Sequence, residues 1–503
     1  MKILFVMGSP EFLRFYDSTL ELLAARGHEV LLAVSQQAEQ KPVRLESIDQ
    51  SASIRVLGLV PPRGDGWPAM AALVRGAMDY VRYLHPRFAD APALRARLAR
   101  KGLPPRLRWV DSRLGSWAPA TVTRVLKALA CVERGIPPSP SMTALIDQHR
   151  PDLVVVSPLV DVASDQVDVV RAARARGVRV VAAIASWDNL TNKGLLRVEP
   201  DAVLVWNEAQ KQEAIELHGV AAERVIVTGA QLFDKWFHQQ PARTLEAFTE
   251  RVGLPNAEPF ILFTGSSMFI SAPELEVPFV TRWVEALRQS PHAVLRNAPI
   301  LIRPHPYNGW IWADADMSAF PGVSVWPRGR YNPVDPDNRR DFYDSLHYCR
   351  AVVGINTSAM VEAAILGRAV HAIVTDDFAA TQEGTLHFRH LLPENGGFLR
   401  IGRGFDHHAD LVAASLTDDT AARDETRRFV SRFLRPHGIA RDCTPLVVDA
   451  LEQVAAWPVH APDGAVGTAA ARVLARLVRP AADWLTRLPR RGGRVRQWQR
   501  AIR

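Results

Sequence analysis

The feature that most constrains this chain is an alternation of short, continuously apolar, β-branched segments with stretches of helical spacing. In the first half the apolar segments fall at 2–6, 28–34, 152–156, 178–184, 202–205 and 225–227, and helical patterns occupy 13–25, 165–176 and 208–217. A strand that is apolar on both faces must be covered on both faces, and a parallel sheet with crossover helices meets that demand. A second series of apolar segments follows at 260–264, 300–303, 323–326, 351–354, 370–374 and 398–401. Between the two series, polar residues and Pro241, Pro255 and Pro259 break the pattern, which predicts a linker in the 237–258 interval. A helix-rich stretch, 419–457, follows the second series. The expected architecture is α/β, with two doubly wound Rossmann-like domains facing each other across a cleft.

The first domain is expected over residues 1–240, with a helical insertion at 63–130 rich in Arg, Trp and Pro. The second is expected over 255–457, and a basic amphipathic tail over 464–503. The net charge of +8 hides an uneven distribution. The segment 63–127 carries +9 and the tail another +9, which leaves the remainder at −10. In the tail, Leu474, Leu477 and Val478 are expected on one face, continued by Trp484, Leu485 and Leu488, with Arg472, Arg476 and Arg479 on another. Such a helix reads either as lying on an anionic membrane surface or as a solvated basic end. No nucleic-acid-binding motif accompanies either basic segment, so nucleic acid is not an expected partner.

Hydrophobic residues at 48% and charged residues at 23% describe a folded chain rather than a disordered one. Three scattered cysteines, Cys131, Cys349 and Cys443, make neither a disulfide framework nor a zinc pair. No apolar run has the length of a membrane span, and the first apolar stretch is shorter than a signal-peptide core. A cytoplasmic location, peripheral on the inner membrane face if the tail binds lipid, is the expectation.

Open α/β sheets bind ligands at the carboxyl ends of their strands, so the loops after the strands carry the candidate chemistry. The strongest of these is Gly354-Ile355-Asn356-Thr357-Ser358, with Glu362 one turn into the next helix. Free N–H groups at a helix start favour a phosphate, Thr357 and Ser358 add hydroxyls, and Glu362 suits a ribose hydroxyl; ordinary N-capping is the structural alternative. Arg303-Pro304-His305-Pro306 holds an imidazole in a fixed direction, as a phosphate donor or as a purely structural turn. Thr264-Gly265-Ser266-Ser267 permits close backbone approach to a ligand, and reads equally well as a polar turn. In the first domain Glu11 and Asp188 are the carboxylates placed to deprotonate an acceptor hydroxyl, against structural roles as a dipole partner and an Asx-turn residue. The polar stretch 376–387 is expected to line or gate the pocket, or to be a solvated loop.

These motifs resemble those of GT-B fold glycosyltransferases, above all bacterial capsule-type transferases using a CMP-activated sugar and CDP-glycerol glycerophosphotransferases. Both have a His-Pro motif and a later Ser/Thr-rich helix start in the second domain, which Arg303-Pro304-His305-Pro306 and Asn356-Thr357-Ser358…Glu362 match in type and order. The resemblance implies a nucleotide-activated sugar donor whose phosphates are held by His305, Thr357 and Ser358 and whose ribose is held by Glu362; Gly265, Ser266, Ser267, Arg303 and Asn356 are further expected donor-binding residues. It also implies a glycan or lipid-linked acceptor and a role in cell-surface glycan synthesis. Glu11, Asp188 and His305 are the expected catalytic residues. No DxD-spaced carboxylate pair stands at a strand end, so neither a metal nor another cofactor is expected. The alternatives are a CDP-polyol phosphotransferase, a UDP-sugar 2-epimerase-like enzyme and a non-catalytic nucleotide- or glycan-binding subunit. The epimerases carry an Asp-Ser-Gly-Gly type run where this chain has Asn356-Thr357-Ser358-Ala359.

Overall fold

A computed structural model describes residues 1–35, 53–332, 335–458 and 465–486. The first lobe is built on a parallel sheet of strands β1 (Lys2–Met7), β2 (Glu29–Val34), β3 (Ile54–Leu59), β4 (Leu153–Ser157), β5 (Arg179–Ala183), β6 (Ala202–Val205) and β7 (Val225–Val227). Their order is β3-β2-β1-β4-β5-β6-β7. The second lobe holds β8 (Ile261–Thr264), β9 (Ile300–Arg303), β10 (Val323–Val325), β11 (Ala351–Gly354), β12 (Ala369–Val374) and β13 (Arg400–Arg403), ordered β10-β9-β8-β11-β12-β13. The strand order reverses between β1 and β4 in one sheet and between β8 and β11 in the other. Those switch points open a crevice at the carboxyl ends of the strands.

The apolar runs form strands because both of their faces are covered. Ile3, Phe5, Val30 and Leu32 pack to one side of the first sheet, and Leu4, Val6, Leu31 and Val154 to the other. Two elements depart from expectation. Edge strand β3 is an addition to the expected set; its outer residues are half-exposed, so it lacks a continuous apolar signature. β13 begins two residues later than the apolar run 398–401, because the amides of Phe398 and Leu399 bond back to the Leu391 carbonyl and hold the run in a turn.

The 237–258 interval contains the helix Leu245–Val252, which Thr244 caps and Gly253 ends in a left-handed conformation. Its Phe248 and Val252 join a core that also holds Trp187, Trp206 and Phe233 of the first lobe and Leu262 and Val352 of the second. The last helix of the 419–457 stretch, Thr444–Ala455, crosses back to the first sheet. Its Val447, Val448, Leu451 and Val454 pack among Ile3, Phe5, Leu20 and Leu23. The Asp234 carboxylate anchors its start, accepting from the amides of Cys443 (2.9 Å) and Thr444 (2.6 Å) and from Nη2 of Arg435 (3.0 Å).

The insertion folds as helices Pro68–Arg82, Pro92–Gly102 and Pro119–Gly135, each opening on a proline whose missing N–H costs nothing in the first turn. The first two cross so closely at Gly76 and Gly102 that a Cβ on Gly76 would lie 1.9 Å from the Gly102 carbonyl oxygen. The tail is helical over Ala465–Thr486 and packs on this insertion. Its buried face is Ala471, Ala475 and Ala482, with Val478 beside them. This corrects the expected face: Val478 turns inward while Leu474 and Leu477 turn outward, because the small alanines let two helices approach. Residues 487–503, with Leu488, lie outside the described residues.

Candidate active site

Between the lobes lies a cavity of about 420 Å³, within the range of small-molecule sites. From the first lobe it is lined by Arg14, by Ser186, Trp187, Asp188 and Asn192 after β5, and by Lys235 and Trp236. The second lobe contributes Gly265 and Ser267 after β8, Arg303 to Tyr307 after β9, Asn356 to Ala359 and Glu362 after β11, and His387 beyond β12. Arg97 of the helix Pro92–Gly102 reaches in from the insertion.

The β8 and β9 loops meet at Gly265, where a Cβ would lie 2.7 Å from the His305 amide nitrogen and 3.2 Å from Pro304 Cα. Glycine is required there by closeness of approach. His305 accepts a 3.2 Å bond from the Tyr307 amide on Nδ1, which leaves Nε2–H as the donor of the neutral ring. Burial, aided by the Arg14 charge, pushes its pKa down to about 4, so the ring is neutral at physiological pH. Arg303 is buried; Nη1 donates to Ser345 Oγ (3.2 Å), Nη2 donates to the Asn338 carbonyl (3.1 Å), and Nε has no partner. No carboxylate of the described residues forms an ion pair with it. Asp341 acts on it only at a distance while pairing with Arg243 and Arg251, and a buried guanidinium so weakly countered makes the cavity receptive to an anion.

The loop after β11 is braced from behind. The Asn356 side chain donates to the Thr381 carbonyl (2.8 Å) and meets His387 Nε2 at 3.3 Å, and its amide reaches Ser266 Oγ at 3.5 Å. Thr357 is half-buried and Ser358 exposed at the cavity wall, ahead of the short helix Ala359–Ile365. Glu362 is half-buried beside them, and burial pushes its carboxyl up to about 8 against the opposing pull of Arg14.

Across the cavity, Asp188 accepts from the side-chain amides of Asn189 and Asn192, each at 3.2 Å. Burial works to raise its pKa. The neighbouring His387 and Lys193 and the bonds from Ser186 and Asn192 outweigh that and hold it below the usual range, so it is ionised. Arg97 donates to Asn192 Oδ1 at 2.9 Å and lies 4.4 Å from the ring of Phe269 on the opposite lobe. Trp187 contacts both lobes: its ring meets that of His387 edge-on, with centroids 4.8 Å apart, and its Nε1 reaches Ser358.

Of the expected site residues, Gly265, Ser267, Arg303, His305, Asn356, Thr357, Ser358, Glu362 and Asp188 line the cavity. Ser266 is buried beneath it, its amide donating to Glu276 Oε2 at 3.0 Å. Glu11, on the turn Pro10–Phe12, is not among the lining residues. Within the polar stretch 376–387 only His387 lines the cavity; Thr381 and Gln382 face the backbone beneath, where Gln382 Nε2 donates to the carbonyls of Ile355 and Ile373. Arg14, Arg97, Trp187, Lys235 and His387 are lining residues that the reading of single loops did not assign. Among the described residues no group of three or more His, Cys, Asp or Glu is arranged to hold a metal ion.

No protein-family model matches the sequence, and no curated protein matches it. Solved structures do resemble it. A UDP-GlcNAc 2-epimerase from Neisseria meningitidis bound to UDP-GlcNAc superposes with a TM-score of 0.51 at 12% identity, over 90% of this chain and 100% of that one. The UDP-GlcNAc 2-epimerase of Methanocaldococcus jannaschii gives a TM-score of 0.50 at 11% identity, over 90% and 100%. A glycosyltransferase from Rickettsia africae gives 0.49 at 11% identity, over 90% and 98%. With two parallel sheets whose carboxyl ends face one cavity, the chain has the GT-B fold.

Proposed function

We propose that this protein is a nucleotide-sugar-dependent glycosyltransferase acting in cell-surface glycan synthesis. The observation that carries the reading is the charge pattern of the interlobe cavity. Arg14 acts on His305 and Glu362 and buried Arg303 lines the cavity with Thr357 and Ser358, while the ionised Asp188 lines it from the first lobe beside Arg97 and Lys193. The donor's phosphates then lie against Thr357, Ser358 and Gly265, with Glu362 at the ribose.

In this arrangement Asp188 takes the proton of the acceptor hydroxyl, and the acceptor oxygen forms its bond to the anomeric carbon. The bond from that carbon to the donor phosphate oxygen breaks, and its electron pair stays on the leaving nucleotide. Arg14, Arg303 and His305 Nε2–H stabilise the charge that develops there. Titration calorimetry with CMP, CDP, UDP and GDP tests the donor half of the reading. Binding of one of them, lost in Arg303→Met, is the expected result, and binding of none rejects it.

A second reading is a UDP-sugar 2-epimerase-like enzyme, supported by the similarity to the two epimerase structures. The run Asn356-Thr357-Ser358-Ala359 differs from the Asp-Ser-Gly-Gly type run and supports the transferase instead. Proton NMR of UDP-GlcNAc incubated with the protein and no acceptor separates them, since only the epimerase inverts C2.

A further inference from the structure

The helix Ala465–Thr486 buries one face on the insertion and, among the described residues, turns the opposite face outward. At Gly135 the two helices touch closely: a Cβ there would lie 2.0 Å from the Ala471 carbonyl oxygen. The outward face carries Val473, Leu477 and Trp484, which follow one another at helical spacing and are 57%, 73% and 63% exposed. These are among the most exposed large apolar side chains of the molecule, and they stand on one stripe flanked by exposed Arg472 and Arg476.

Contacts with the insertion fix this stripe in place. Arg106 donates from Nη1 to the Trp484 carbonyl at 2.7 Å and places its guanidinium 4.6 Å from the centroid of the Trp484 ring. Three residues on, Trp109 is 58% exposed with Arg113 at 5.3 Å from its ring centroid. Two chain segments far apart in sequence, joined through Arg106, thus each present an exposed indole with an arginine on its face. The acidic groups nearby are neutralised: Asp483 lies 3.9 Å from Arg479, and Asp111 accepts from Arg95 and Tyr80.

We infer that this face docks on an anionic phospholipid surface, with Trp484, Leu477 and Val473 entering the interfacial layer and the arginines meeting the headgroups. A stripe about one side chain wide on a convex helix offers no groove for a protein knob, whereas it suits a plane of mobile lipid. Tryptophan and arginine together favour the depth where hydrocarbon gives way to headgroup. Charge complementarity points the same way, since Arg108, Arg113, Arg472 and Arg476 are exposed on these two segments. The inference stands apart from the nucleotide-sugar reading, and its failure would leave donor binding untouched.

The test is sedimentation of the full chain with vesicles of pure phosphatidylcholine or with about one third phosphatidylglycerol, at low salt and at about 0.5 M salt. The protein is expected to pellet with the anionic vesicles only, and less at high salt. The double variant Leu477→Ser/Trp484→Ser, with all of its arginines intact, should lose partitioning about tenfold or more, while its circular dichroism shows the fold retained. Ile439→Ser, on an exposed apolar residue elsewhere, should have no effect. Wild-type protein that stays in the supernatant, or a double variant that pellets like wild type, overturns the inference. So does a wild-type dimer in solution that the double variant dissociates, because a second copy would then be the occupant.

Discussion

The indole Nε1 of Trp187, on the first lobe, donates a 3.2 Å hydrogen bond to Oγ of Ser358, on the second. Ser358 lines the cavity, so this contact ties the two lobes together at the cavity wall. Trp187→Phe keeps the ring edge against His387 but removes the N–H. Nucleotide affinity should fall by about fivefold to tenfold, as for one hydrogen bond of roughly 1 kcal/mol, with little change in melting temperature. Calorimetry against the bound nucleotide reads this directly.

Asp188 is ionised because its neighbours outweigh its burial, and a base must be ionised to accept a proton. Asp188→Asn should retain donor binding and lose turnover by about a hundredfold or more. A variant with wild-type kcat would remove Asp188 from the reaction.

His305 is neutral and donates through Nε2, so His305→Ala should lower kcat by about a hundredfold, in line with removal of one donor to a developing anion. Its pKa of about 4 means that kcat should show no inflection near pH 6.5, where an unperturbed imidazole titrates. An inflection there that disappears in the variant would contradict the assignment.

Glu362 is held protonated to about pH 8. Above that pH a carboxylate appears at the proposed ribose position, one turn from the proposed phosphate position, so nucleotide affinity should weaken, by about tenfold between pH 7 and pH 9. Glu362→Gln should flatten that limb. Affinity that rises with pH would place the phosphates elsewhere.

His371 and His408 lie in the core of the second lobe with ring centroids 5.8 Å apart and no hydrogen-bond partner on any ring nitrogen. Burial lowers both pKa values, with His408 at about 3. The unfolded chain binds protons at both from about pH 6.5 downward while the folded chain does not, so stability is fully present above pH 6.5 and falls as the pH is lowered. The slope is about 1.4 kcal/mol per pH unit for each imidazole. His408→Leu should halve this pair's contribution to the loss of melting temperature between pH 6.5 and pH 4.

Most of the strand content was legible because parallel strands declare themselves by apolar runs, and the loops after β8, β9 and β11 could be found by position alone. Thr357, Ser358, Arg303 and His305 therefore stood out, each directly after a strand. Arg97 did not: it is one of thirteen basic residues between 63 and 127, and only the crossing of its helix over the cleft sets it apart. Arg14 sits on the first helix with no local signal, and Trp187 and His387 lay inside loops that were noted for other residues. Their meeting is a product of lobe packing, which spacing along the chain does not encode. β3 and the inward turn of Val478 were missed for a related reason, since half-exposed edges and helix-on-helix faces depend on what lies opposite.

The return of the helix Thr444–Ala455 to the first sheet bears on how the protein is made. While it emerges from the ribosome, the amino-terminal half must wait, with an apolar trough around Ile3, Phe5 and Leu23 open, until some 450 residues have been synthesised. A chain released before that helix would carry both sheets and the cavity between them, with the floor at Ile3, Phe5 and Leu23 unsealed. Premature termination before that helix should therefore yield aggregates rather than a shortened soluble chain.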